Sequence, residues 1–202
     1  MADGRPNFNQ AVRSLLKHVA ATVPEFSHIR ASRIVVVAGE ARRASRGTVK
    51  PLGNTGKGRR RKSIVRIRGR RMLYCITLRP LFFRSSTPHA RIETLLHELF
   101  HISRSFDGTL DEELRHAAAG KRFERKLRPL VRRYLRKCPA ELWAPFAFNG
   151  EVRMLQWLER PGPVGSPVQG RKLYNEEQLF YGPVRMLTRR TRPARSPQVK
   201  LH

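Results

Sequence analysis

The stretch TLLHELFHIS, residues 94–103, sets two histidines and a glutamate inside an otherwise apolar segment. Thr87 and Pro88 give it a helix start, and leucine, isoleucine and phenylalanine side chains then recur at helical spacing. Residues four apart lie one above the other on a helix face, so His97 and His101 can bind one metal ion together. Burying titratable side chains in an apolar helix is costly without such a purpose. The segment predicts a metal-binding helix; the alternative is a polar stripe that satisfies itself.

Glu98 follows the first histidine directly and therefore lies about 100° around the helix axis from it. It cannot join the two imidazoles squarely as a ligand, but it can reach a water molecule on the open side of the ion. Two histidine ligands with an adjacent carboxylate that takes a proton from water are what a zinc hydrolase requires. We therefore predict Zn2+ as the cofactor, since imidazole ligands favour it, and Glu98 as the catalytic residue.

A catalytic zinc ion needs a third protein ligand, and the sequence after His101 offers few. The histidines that remain are His116 and the terminal His202. We predict His116, because it opens the next apolar helix, which could fold back over the first. The alternatives are carboxylates, whose other role would be helix N-terminal charge compensation or pairing with Arg or Lys. These carboxylates are Asp107, Glu112, Glu113 and Glu124.

Apolar periodicity along the chain predicts an α+β fold. The predicted helices are 7–23 with Asn7 as N-cap, the metal-binding helix, and 111–137. The predicted strands are 33–39, a hairpin of 63–69 and 71–78 around Gly69, and two C-terminal strands, 151–160 and 178–190. Residues 40–62 are rich in glycine and carry the basic run KGRRRK, so we expect a loop there.

The pattern changes after Pro139, which divides the chain into parts. We expect residues 7–138 to form the domain that carries the predicted metal site. Residues 139–188 are expected to form a β-rich extension, whose two strands flank a connection rich in proline and glycine. The basic terminus, 189–202, is expected to be a disordered tail.

Charge is the strongest compositional signal. The formal net charge is +27, from 42 Lys and Arg against 15 Asp and Glu. This excess predicts attraction to a polyanion such as nucleic acid, an anionic membrane or an acidic cell-wall polymer. The alternative is a general solubility device, because the basic residues are spread along the chain and match no named binding motif.

The remaining composition excludes several protein classes. Cys75 and Cys138 are the only cysteines and form no CxxC pair, which excludes a zinc ribbon or a dithiol redox site. The N-terminus has no signal-peptide pattern, and the chain has no run of 18 apolar residues. We therefore expect a cytoplasmic protein without a transmembrane segment.

The segment TLLHELFHISRSFDG, followed by a histidine and a helix containing FERKL, resembles the phage-type metallopeptidase family. These are small zincin-like proteins whose layout is related to that of the SprT-like proteases. The resemblance covers residues 8–137 and implies a zincin-like fold, in which a small mixed sheet packs on the HExxH helix. It also implies a zinc ion held by His97, His101 and His116, with Glu98 catalytic.

The resemblance implies hydrolysis of a peptide bond by activated water, with Glu98 accepting the proton and returning it to the leaving amine. The peptide or protein substrate would add as a strand to an exposed edge formed by residues 73–78. Arg115, Tyr174 and Tyr181 are candidate oxyanion donors, although no spacing argument supports them.

Two other functions stay open at this point. One is a nucleic-acid-binding protein whose zincin core is inactive or structural. The other is a lytic enzyme that acts on cell-wall peptides. Glu98 favours an enzyme over a structural site, because a structural zinc ion takes four closed ligands and has no use for a carboxylate beside an open position.

Overall fold

The structure, a computed structural model, describes residues 4–40, 45–52, 64–111, 116–161 and 173–187, without the side chains of 116–122. Over these residues the chain is a mixed α/β fold with small sheets. The helices are α1 (Phe8–Thr22), α2 (Pro80–Ser85), α3 (Pro88–Phe100), α4 (His116–Lys137) and α5 (Ala140–Ala147). The strands are β1 (Ile34–Ala38), β2 (Gly47–Pro51), β3 (Ile64–Ile67), β4 (Arg70–Arg71), β5 (Tyr74–Leu78), β6 (Gly150–Trp157), β7 (Leu173–Tyr174) and β8 (Leu179–Met186). No helix in these ranges is both long and apolar enough to cross a membrane.

The central sheet places β5 between two neighbours, with β1 parallel to it and β2 antiparallel. All residues of β5 are buried as a result. The expectation that residues 73–78 form an exposed edge is therefore wrong, and β2 forms that edge instead. The segment of β2, GTVKP, was expected to be loop because its glycine, lysine and proline are weak strand formers. Pairing with β5 overrides that local preference.

Two helices predicted from capping signals pack on one face of this sheet. Asn7 caps α1 by accepting a hydrogen bond from the Gln10 amide at 3.2 Å. Thr87 caps α3 by accepting one from the Ala90 amide at 3.2 Å. Both helices bury an apolar stripe in the main core, as their periodicity predicts. This confirms the predicted helix 7–23 and the predicted helix start at Thr87 and Pro88.

The C-terminal strands belong to the same core. β6 and β8 pair antiparallel along eight residues each, from Gly150 opposite Met186 to Trp157 opposite Leu179. The structure thus confirms the two strands predicted there, whereas α5 was not predicted. Side chains of both strands and of α5 join the cluster that contains α1 and α3. They are Phe146, Val152, Met154, Val184 and Met186. The predicted tail, 189–202, lies outside the described residues.

A second, smaller core lies on the other face of the central sheet. Successive strand residues point to opposite faces, so Val35 and Val37 leave the main core and pack with Val65 and Tyr174. The hairpin of β3 and β4 contributes to this layer, and β3 also pairs with β7. Its turn has positive φ at Arg68 and Gly69, which fits a two-residue hairpin turn and confirms the turn predicted around Gly69. The predicted partner strand 71–78 is wrong, because the hairpin partner of β3 is Arg70–Arg71 alone, whereas β5 lies between β1 and β2 in the central sheet.

Candidate metal centre

Helix α3 brings the imidazoles of His97 and His101 together. Their Nε2 atoms lie 3.4 Å apart, and the ring centroids are 5.1 Å apart. Two nitrogens bound to zinc at about 2.0–2.1 Å with a tetrahedral angle lie roughly 3.3–3.4 Å apart. The observed separation therefore fits one zinc ion between the two rings.

Phe123 of α4 covers both imidazoles. Its ring stacks on His101 with centroids 4.7 Å apart and planes 22° from parallel, and it contacts His97 at 4.8 Å between centroids. Phe123 is 1% exposed, so its position is fixed by the packing of α4 against α3. This contact restricts rotation of the two rings and shields one side of the site from water.

Glu98 is buried beside the edge strand of the central sheet. Only 6% of the residue is exposed, and burial raises the pKa of its carboxyl group to about 7. A hydrogen bond from the backbone N–H of Val49, in β2, opposes this rise. A carboxyl group with a pKa near neutrality can both accept and release a proton under ordinary conditions.

Gly47 explains how β2 comes so close to α3. A Cβ atom at this residue would lie 3.2 Å from the Thr94 methyl group and 3.5 Å from Cγ of Glu98. The first distance is tighter than ordinary van der Waals contact, so a larger residue would press the strand away from the helix. This close approach is not predictable from the sequence, because Gly47 is one of several glycines in residues 40–62 and no pattern distinguishes it from the others.

Residues 101–111, which follow α3, form a closed loop. Ile102 pairs with Leu110 in an antiparallel bridge, and the amide of Asp111 donates to the carbonyl oxygen of His101 at 2.9 Å. The Tyr74 hydroxyl, on β5, donates to the carbonyl oxygen of Thr109 at 2.9 Å and accepts from the amide of Gly108 at 2.9 Å. Burial raises the pKa of Tyr74 to about 12, so the hydroxyl keeps its proton. The loop is thereby tied to the central sheet.

The third ligand predicted from the sequence is not resolved by this geometry. His116 is the first residue of α4, and its side chain lies outside the described part of the structure. Glu112 and Glu113 also lie outside it. His116 therefore stays a prediction.

The other two alternatives are described, and both are engaged elsewhere. Asp107 is exposed and accepts hydrogen bonds from the hydroxyl and amide of Thr109, which lower the pKa of its carboxyl group. Glu124 forms an ion pair with Arg128 at 3.1 Å. Among the described side chains, no three of His, Cys, Asp or Glu are grouped to hold a metal. Within the described residues, neither Asp107 nor Glu124 is grouped with the histidine pair, and both stay alternatives to His116.

The tyrosines considered as oxyanion donors lie elsewhere in the fold. Tyr174 is buried in the second core, and Tyr181 is exposed on β8 with the Arg153 guanidinium 5.8 Å from its ring centroid. Neither hydroxyl bonds to Glu98, whose hydrogen-bond partner among the described residues is Val49. Arg115 lies outside the described residues.

A family model with the description "Putative phage metallopeptidase" matches residues 8–132. The match covers more than half of the 202 residues, from α1 through most of α4. The chain belongs to this family. Membership confirms the resemblance predicted from the HELFH segment, and the name of the phage metallopeptidase family implies a metal ion and a peptide or protein substrate. Neither the curated proteins nor the solved structures contain a match to the chain.

Proposed function

We propose that this chain has a zincin-like fold and hydrolyses peptide bonds with zinc, held by His97, His101 and His116. Glu98 would accept and return the proton. The 3.4 Å separation of the histidine Nε2 atoms, beside a buried carboxyl group, is the observation that carries the proposal. A zinc ion bound there supplies Lewis acidity toward the scissile carbonyl group and toward water.

His116 is proposed as the third ligand because of its position on α4. It precedes Phe123 by seven residues, so the two residues occupy the same face of the helix. Phe123 contacts both imidazoles, which makes this the face that α4 turns toward α3. Residues 101–111, the described part of the connection from α3, are tied to Tyr74 on β5.

Glu98 is proposed to move the proton. Its carboxylate takes a proton from the water molecule that attacks the carbonyl carbon. The protonated carboxyl group then gives that proton to the amide nitrogen as the C–N bond breaks, which restores the carboxylate. Burial suits this cycle because it raises the pKa of Glu98 to about 7.

Strand β2, and not β5, is the proposed docking edge for the substrate. Among the described strands, β2 pairs with β5 alone, so it is an edge strand to which a peptide strand could add. The Val49 amide of β2 contacts Glu98, which places this edge beside the proton acceptor. An extended peptide could pair with β2 and present its backbone to the site.

The test combines zinc content with hydrolysis of a mixed fluorogenic peptide library. Wild-type protein should bind about one zinc ion per chain. The variant Glu98→Gln should keep the zinc and lose activity by roughly 10²–10⁴-fold, the usual contribution of a general acid–base residue. Glu93→Gln, on the same helix, is the matched control and should keep both.

Zinc binding should also identify the third ligand. We expect zinc to be lost in His116→Ala and kept in Asp107→Asn. The reverse result would replace His116 by Asp107 in the ligand set. Absence of zinc from the wild type, even after zinc is supplied, would refute the metal site itself.

A further inference from the structure

Helix α4 has two faces of opposite chemistry. Its inner face is apolar and buried, packs against α3, and contacts α1 where Tyr134 meets His18. Its outer face, from Arg125 to Lys137, consists mainly of exposed basic side chains. These are Arg125, Lys126, Arg128, Arg132, Arg133, Arg136 and Lys137. The excess positive charge of the chain is therefore concentrated in part on one rigid element.

Two of these cations are already paired. Arg128 binds Glu124 at 3.1 Å, and Arg133 binds Glu25 at 2.7 Å, where the arginine lowers the pKa of the Glu25 carboxyl group. Among the described residues, Glu124 and Glu25 are thus engaged by arginines other than Arg125, Arg132 and Arg136. Those arginines keep their charge available for a partner.

Arg125, Arg132 and Arg136 form a row, which we call the arginine stripe. At 100° per residue they lie within about 40° of one another around the axis, and they span roughly 16 Å along it. Within the described residues, the structure shows no ion pair for any of the three. A row of guanidinium groups on one helix face suits a row of phosphates, because arginine binds phosphate oxygens through two parallel N–H donors.

The character of the outer face distinguishes nucleic acid from a membrane as the partner. A helix that lies on a membrane inserts its apolar face into the lipid. The apolar face of α4 is occupied by the core, and the large apolar side chains exposed among the described residues lie on other elements. The stripe can therefore offer charge but no lipid-inserting surface.

The same observation distinguishes duplex from single-stranded nucleic acid. Proteins that bind single strands stack exposed aromatic side chains on the bases. In the described part of α4, the aromatic residues Phe123 and Tyr134 are both buried. We propose that the arginine stripe binds the phosphate backbone of double-stranded nucleic acid without reading its sequence. This inference is independent of the proposed peptidase activity.

Binding of a fluorescein-labelled duplex of random sequence, measured by anisotropy at several salt concentrations, tests the proposal. The test variant is Arg125→Gln, Arg132→Gln and Arg136→Gln combined, in the full chain. The matched control carries Arg66→Gln, Arg70→Gln and Arg185→Gln, three exposed arginines on β3, β4 and β8. Both variants lose three positive charges. A difference in duplex affinity between them therefore shows that the position of the arginines matters, and not only the net charge. Melting temperature and zinc content should be unchanged in both.

We expect the wild type to bind the duplex, and the stripe variant to bind about tenfold more weakly or worse. The slope of log affinity against log salt should shrink by about 2–3 in the stripe variant, since each lost phosphate contact contributes roughly 0.9. The control should change far less. Equal losses of duplex affinity in both variants would refute the arginine stripe as a binding site. Binding would then be explained by attraction to the net charge of the whole protein.

Three further results would also overturn the proposal. One is a wild type that does not bind the duplex or binds it without salt dependence. Another is tighter, stripe-dependent binding of a single strand. The third is stripe-dependent binding to anionic lipid vesicles with no binding to the duplex, which would assign the stripe to a membrane.

Discussion

Helix α3 buries two charged side chains, Arg91 and Glu98, which differ in their hydrogen-bond partners. Arg91 is 0% exposed, and its guanidinium donates to the carbonyl oxygens of Phe83 at 2.7 Å and Phe146 at 2.6 Å, and to the Ser86 hydroxyl at 3.2 Å. Glu98, seven residues later, is almost as buried but accepts from a single described donor, the amide of Val49. Burial shifts the pKa of both groups toward neutrality, to about 10 for Arg91 and about 7 for Glu98.

The difference separates a structural charge from a reactive one. Arg91 has its donors engaged by oxygen atoms of α2 and α5, and its lowered pKa still leaves it charged at neutral pH. It therefore holds three helices together. Glu98 has few partners that favour its ionised form, so its proton is exchangeable near pH 7. A buried charge within one helix can thus be part of the scaffold or part of the chemistry, depending on its hydrogen bonds.

We expect the largest effect on stability at Arg91, the structural charge. Arg91→Met should lower the free energy of unfolding by about 3–5 kcal/mol, because it leaves buried oxygens without donors. Chemical denaturation measures this change. Arg84→Met, at an exposed residue of α2, is the control and should alter stability by no more than about 0.5 kcal/mol. A stable Arg91→Met variant would remove the contrast between the two charges.

Substitution of Glu98, the reactive charge, should stabilise the metal-free protein. Folding raises the pKa of the Glu98 carboxyl group from 4.5 to about 7, so the folded state disfavours its ionised form. The wild type should therefore lose stability as pH rises from 4.5 to 7, and this cost should be fully present above pH 7. Glu98→Gln avoids it and should be about 2–3 kcal/mol more stable at pH 8.

Thermal unfolding after zinc chelation, from pH 4.5 to pH 8, checks this expectation. The two proteins should have similar stability at the acid end and diverge as pH rises. Parallel curves would mean that folding does not raise the pKa of Glu98, and the comparison with Arg91 would fail.

We expect the smallest effect on stability at Tyr74, which ties the loop after α3 to the central sheet. Tyr74→Phe removes the hydrogen bonds to Gly108 and Thr109, which should cost about 1–2 kcal/mol of stability. It should also weaken zinc binding by about tenfold, because the loop that leads to α4 loosens. Competition with a zinc chelator measures the affinity. Tyr181→Phe, at an exposed tyrosine, is the control, and equal zinc affinity in both variants would separate the loop from the site.

The sequence predicts this molecule well where its signals are local. Thr87 and Pro88 predict the start of α3, and the four-residue spacing of His97 and His101 predicts that their rings meet. The positive φ angles at Arg68 and Gly69 belong to a turn that Gly69 predicts. Each of these features is decided within a few residues of the chain.

The features that escaped prediction depend on distant partners. Strand β2 exists because it pairs with β5, about 27 residues later in the chain, and its own residues favour a loop. An arginine within a helix is normally expected on the surface, and Arg91 is buried because α2 and α5 supply oxygens from both sides. The covering of both imidazoles by Phe123 likewise depends on how α4 crosses α3.

The main core limits where the chain can be truncated without exposing buried apolar side chains. The family match ends at residue 132, but Phe146, which supplies an oxygen to Arg91, and the apolar residues of β6 and β8 lie beyond it. A fragment that stops at the family boundary would expose that apolar surface and deprive Arg91 of an acceptor. The segment recognised by the family model is therefore shorter than the packed main core, which extends to Met186.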